Sequence, residues 1–134
     1  MQYYILLTLT VLWFLFMTWL SHQDGEHTSK ASMELAEHLT GVFKFLKTDR
    51  DVLNGRLRRL AHIFLFFGLT LLLGATLSAA SKPLWPGIAA AVVWSWADER
   101  TKPFISGRHF GWFDVGLNLL GTAIGAAVLF CIYG

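Results

Sequence analysis

Residues 83–97 read PLWPGIAAAVVWSWA, and Asp98, Glu99 and Arg100 follow at once. As an α-helix, this uncharged stretch would reach roughly 22 Å, which is short of a hydrocarbon core of ~30 Å. It therefore either re-enters the membrane from one side or spans it. A span would draw Asp98, Glu99 and Arg100 down to the depth of the lipid headgroups, held against other helices. Lys82 and Trp85 are available to anchor the opposite end, which favours the span. The number of crossings, and the side on which every polar group lies, turns on this stretch.

Three other runs are easier to read. Met1–Ser21 contains no Lys, Arg, Asp or Glu, Leu60–Ser81 is interrupted only by His62, and Val115–Gly134 is apolar and rich in small residues. Each is long enough to cross a bilayer. The first run lacks a basic start and a small-residue cleavage site before Ser21. Its Trp13, Phe14, Phe16 and Trp19 are also bulky for a cleaved leader, so it is expected to be a helix. The sequence thus predicts one domain over residues 1–134, an all-α membrane protein with four transmembrane helices at about 3–21, 60–81, 84–100 and 113–133. Between the first two, Leu35, Leu39, Val42 and Leu46 recur at helical spacing while Glu34, Glu37, His38 and Lys44 fall elsewhere. That pattern predicts an amphipathic interfacial helix at about 31–47. Ser21–Ser32 and Thr48–Gly55, rich in polar and turn-favouring residues, are expected to be flexible junctions.

Charge sorts along the chain in the same way. Of 134 residues, 54% are hydrophobic and 15% charged; all 9 acidic residues and all but one of the 11 basic residues lie within Asp24–Arg59 or Asp98–Asp114. Lys82 is the exception. With a mean hydropathy of +0.50, this excludes a water-soluble fold, because too little polar surface remains to cover a core. The net charge of +2, with basic and acidic residues mixed, argues against nucleic acid as a partner. Cys131 has no second cysteine to pair with. Four crossings would place both charged blocks on one membrane face, with both termini and the turn at 78–86 on the other.

Ionisable groups at membrane depth need a partner or a purpose. Arg58 and His62 are four apart on the second span and share a face; Glu99 and Lys102 are three apart and able to pair. On the last span Asp114, Asn118, Gly121 and Gly125 form a polar face that turns into a small-residue face. Gly121 and Gly125 are expected to pack a close helix crossing, whereas Asp114 and Asn118 suit either a ligand pocket or structural hydrogen bonding. Arg108, after Ser106 and Gly107, can present its guanidinium as a two-pronged ligand for phosphate or carboxylate. His62 and Glu99 are the candidate catalytic groups, as general bases. His62, His109, Glu99 and Asp114 are permitted metal ligands, but no dense His/Cys spacing supports a site, so neither metal nor cofactor is expected. His22, His27 and His38 lie in the polar block and are expected to be solvated. There is no glycine-rich phosphate loop and no nucleophile elbow.

The stretch from Asp98 through Arg108, followed by Asp114, Asn118, Gly121 and Gly125, resembles the signature of VanZ-like membrane proteins, a pattern of the form D-E-x-x-Q-x-F-x-x-G-R and then D, N and spaced glycines. Leu60–Phe64 is similar to the family's helix start with its H-F pair, and Leu20–Ser32 resembles its S-x-Q-x-G-E stretch with following serines. Two positions depart. Lys102 stands where the family usually has glutamine, so that a Glu99–Lys102 pair takes the place of an amide contact, and Ile63 displaces the phenylalanine to Phe64.

The resemblance implies a role at the cell envelope, the founding member being associated with low-level teicoplanin resistance and relatives with other envelope-active lipopeptides. It suggests that the charged blocks face outward, although the Lys and Arg count alone would place them in the cytoplasm. The outward orientation is adopted because Arg58, Lys102 and Arg108 are read as site residues. Three functions are then open. The protein could bind an anionic lipid headgroup or lipid-linked cell-wall precursor through Arg58, Lys102, Arg108, Asp114 and Asn118, with membrane lipid, such a precursor or a glycopeptide as partner. It could be an enzyme on a lipid-linked substrate, using His62 or Glu99. It could be a membrane scaffold or partner subunit in which Gly121 and Gly125 matter most.

Overall fold

The computed structural model describes residues 1–21, 50–104 and 110–134, apart from the side chains of residues 50–56. The expected amphipathic helix at about 31–47, His22, His27, His38, Arg108 and His109 lie outside the described residues. Among those described there is no strand. Helix α1 spans Gln2–Ser21, α2 Arg50–Ala79, α3 Trp85–Thr101 and α4 Trp112–Tyr133, and a single 3-10 turn, Lys102–Phe104, follows α3. Gln2–Ser21, Leu57–Ala79 and Trp112–Tyr133 are long and apolar enough to cross a membrane. With 17 residues, α3 is about 25 Å long.

The start of α2 corrects one expectation. Arg50–Gly55 forms its first turns, where a flexible junction was expected. A lone glycine in a helix costs only about 1 kcal/mol. Gly55 therefore does not end a helix that runs on for more than five turns through Leu57–Ala79.

The other boundaries have local causes. At the end of α2 the Lys82 amide donates to the Leu77 carbonyl (2.9 Å) and the Ser81 amide to that of Ser78 (3.0 Å). These are the two bonds of a Schellman cap, with Ser81 at the left-handed position (φ 56°) where glycine is usual. Pro83 then prevents continuation. Pro86 sits in the first turn of α3, where its missing N–H is not needed. Pro103 lacks the amide that would extend α3, so the chain tightens into the 3-10 turn.

Helix α2 is the centre of the bundle, packing most extensively on α4 and also on α1 and α3. Met17, Phe66 and Leu69 form the core between α1 and α2, flanked by Trp13, Phe14, Leu65, Leu73 and Trp94. Trp13 Nε1 donates to the Leu65 carbonyl (3.0 Å), and the Thr10 and Thr76 hydroxyls meet at 2.9 Å. Interhelical bonds of this kind join helices that gain little from hydrophobic association inside lipid. Trp13 lies against Gly68, where any Cβ would strike its ring.

The α2–α4 crossing is the closest. A Cβ on Gly121 would collide with the backbone carbonyl of Ile63, and one on Gly125 would lie 2.9 Å from Thr70 Cβ and 3.1 Å from the Phe67 carbonyl oxygen. Backbone meets backbone here because both positions lack side chains. The crossing sets His62, adjacent to Ile63, beside Asn118, one turn before Gly121.

Candidate functional site

Three elements bring polar side chains together at one end of the bundle. Helix α2 contributes His62, α3 and its 3-10 turn contribute Asp98, Glu99 and Lys102, and α4 contributes Asp114 and Asn118. Asp98, Glu99, Lys102, Asn118 and Ser95 are all buried, with Glu99 and Asn118 fully so. The cluster opens at one edge, where the His62 side chain is 19% exposed and that of Asp114 39%.

The acidic residues are held through Lys102. Its ammonium donates to Glu99 Oε1 and lies 3.7 Å from Asp98 Oδ2. Asp98 Oδ2 also accepts from the Ser21 hydroxyl (2.8 Å), which ties the end of α1 to the end of α3. A buried pair of this kind is costly to break, because removing one member leaves an uncompensated charge. The other oxygen of Glu99, Oε2, is buried and has no hydrogen bond among the described residues.

A chain of polar contacts orients the histidine. Asn118 Nδ2 donates to the Ser95 carbonyl (3.1 Å), a group that can only accept. Its Oδ1 must then face His62 Nδ1, at 2.9 Å, and accept from it. This places the proton of a neutral imidazole on Nδ1 and leaves the Nε2 lone pair on the side of Asp114. Asp114 Oδ1 stands 4.0 Å from Nε2, too far for a hydrogen bond. One donor atom each from His62, Glu99 and Asp114 lie within 4.8 Å of one another. Spacing along the sequence argues against a metal site, yet the fold gathers three of the four permitted ligands, His109 lying outside the described residues.

The remaining candidates are placed differently. Arg58 is exposed, one turn before His62 on α2. Gly121 and Gly125 lie in the α2–α4 crossing rather than in the cluster. Asp98, Ser95 and Ser21 belong to the network but were not singled out as site residues. Asp98 was legible as the neighbour of Glu99, whereas the Ser95 contribution is a backbone carbonyl and leaves no trace in side-chain identity. Arg59 was also missed; its guanidinium lies 5.4 Å from the centre of the Phe113 ring, a cation–π contact between α2 and the start of α4.

Away from the cluster, Leu7, Val11, Phe14, Leu69, Leu73 and Trp94 line most of an apolar cleft of about 310 Å³ between α1, α2 and α3. Its lining carries no ionisable group.

No curated protein and no solved structure gives a match to this chain. The family model described as VanZ/LLP1 matches residues 3–133, nearly the whole length and every element of the cluster. The chain belongs to the VanZ/LLP1 family.

Proposed function

We propose that this VanZ-type protein crosses the membrane four times, with α3 as the short fourth crossing, and binds an anionic lipid headgroup or lipid-linked cell-wall precursor at the cluster. Binding there would lower the action of a glycopeptide such as teicoplanin. In this reading Arg108 clamps a phosphate, Arg58 assists from the rim, and Asp114 and Asn118 position the bound group. The charged segments face the outside of the cell membrane. The observation that carries the proposal is the convergence of buried and partly buried ionisable groups from three helices on one partly open edge. Such groups are expensive at membrane depth and are retained for ligand or ion handling.

The test is teicoplanin susceptibility in a strain whose resistance rises when the intact protein is expressed. Arg108→Ala and Asp114→Ala should each return susceptibility to the empty-vector level at equal protein abundance. Unchanged resistance in both variants would exclude the headgroup site.

An enzymatic reading has one specific support, the Nε2 lone pair of His62, oriented by Asn118 as a general base requires. It predicts that lipid or wall-precursor profiles differ between cells expressing the intact protein and cells expressing His62→Ala. Identical profiles by mass spectrometry would remove this reading and leave the binding site intact.

A further inference from the structure

We infer that His62, Glu99 and Asp114 form a binding site for a divalent first-row metal ion, with zinc the best fit. The site does not depend on the envelope role proposed above. Three observations converge on it. The first is the ligand set itself: one imidazole nitrogen and two carboxylate oxygens from three different helices, mutually within 4.8 Å. In a tetrahedral site with bonds of about 2.1 Å, donor atoms lie about 3.4 Å apart. Closing to that spacing takes a carboxylate movement of up to about 1.4 Å, and the partly exposed Asp114 side chain has room for it.

The second observation is the histidine. The Ser95–Asn118–His62 chain puts the ring proton on Nδ1 and turns the Nε2 lone pair toward Asp114 Oδ1, 4.0 Å away. Ligand histidines are commonly held in this way, their second nitrogen donating to a carbonyl oxygen behind the site. A cation between the two acceptors satisfies both.

The third is Glu99. Its side chain is fully buried, and Oε2 has no hydrogen-bond partner among the described residues. A buried carboxylate oxygen without a donor is rare enough to require a reason. A cation held with His62 and Asp114 would give the Glu99 carboxylate a second partner beside Lys102.

Imidazole disfavours calcium, and carboxylates disfavour soft monovalent copper, which leaves zinc and its first-row neighbours. Three protein ligands with the fourth position at the exposed edge of His62 and Asp114 leave room for water or an anionic oxygen donor, as in zinc sites that keep an open position.

The experiment uses the full chain, purified without a histidine tag in detergent and stripped with a chelator. Zinc is titrated in competition with a chromophoric chelator, and Mn²⁺ is followed by electron paramagnetic resonance. One equivalent should bind per chain. His62→Ala, Glu99→Gln and Asp114→Asn should each weaken binding at least tenfold, and Asn118→Ala should weaken it about 10- to 100-fold through the lost orientation of His62. Circular dichroism and elution volume report folding, and Asp114→Asn keeps the inference testable if a buried variant fails to fold. Absence of stoichiometric metal would overturn the site. So would one equivalent that Asp114→Asn and Glu99→Gln leave unchanged, since that metal would reside elsewhere, as on His22, His27 and His38.

Discussion

Replacing Gly121 by alanine tests whether the α2–α4 crossing sets the geometry of the polar cluster. The new Cβ would overlap the Ile63 carbonyl oxygen and lie 3.0 Å from its carbonyl carbon and 3.1 Å from its Cα, where ordinary contact is 3.4–4 Å. All three atoms are backbone, so no rotamer change relieves the clash and the helices must separate by about 1 Å. Overpacking of this kind costs about 1–3 kcal/mol. The same displacement would stretch the bond between His62 Nδ1 and Asn118 Oδ1, now 2.9 Å, past hydrogen-bond range, for roughly a further 0.6–1 kcal/mol. A loss of about 3 kcal/mol is therefore expected in reversible unfolding with increasing SDS fraction in mixed micelles. Gly116 provides the control, because nothing lies within 4 Å of a Cβ built there. Gly116→Ala should not destabilise and, by helix propensity, should gain up to about 1 kcal/mol. If Gly121→Ala unfolds with the wild type, or Gly116→Ala costs as much, the crossing is not the constraint argued here.

Further outcomes are expected from the same unfolding measurement. Lys102→Met should cost about 3–5 kcal/mol by leaving Asp98 and Glu99 without their cation, and adding Glu99→Gln should recover part of the loss; no recovery would show that charge is not the cause. Asn118→Leu removes the acceptor facing His62 and the donor to Ser95 at a fully buried position, for about 1–3 kcal/mol. Ser81→Gly relieves a left-handed serine in the cap of α2 and should stabilise by about 1 kcal/mol, with Ser81→Ala showing no gain. Trp13→Phe deletes the bond to the Leu65 carbonyl while keeping most of the ring, for about 0.6–1 kcal/mol.

Hydropathy reported the helices well where it had long runs to work with. The uncharged stretches around Trp13, Phe66 and Ile124 lie in helices long and apolar enough to span. It failed at Arg50–Gly55, since polar composition signals solvent rather than coil and one glycine is too weak a breaker to end a helix. Periodicity likewise put Asp114, Asn118, Gly121 and Gly125 on one face of α4. What it could not convey is which helix that face meets. The approach of Gly121 to Ile63, and hence of Asn118 to His62, depends on a tertiary crossing between residues more than fifty positions apart. His62, Glu99 and Asp114 are legible as permitted ligands, but for the same reason their spacing could not show that they meet. Local spacing finds sites built on one helix or one loop, and this cluster draws a single ligand from each of three helices.

The length of α3 connects these features. Helix α3, of 17 residues, ends beside Ser21 at the end of α1 and beside Asn118 in the second turn of α4, and there Asp98, Glu99 and Lys102 are buried. Buried in this way the carboxylates cannot rely on water, and Lys102, placed three and four residues on, supplies one positive charge by i,i+3 and i,i+4 geometry. A glutamine at that position would hydrogen-bond Glu99 without carrying charge, whereas Lys102 meets it with a positive one. Lys102 thus fixes Glu99 where His62 and Asp114, from the two neighbouring helices, each bring a ligand-type atom within 4.8 Å of it.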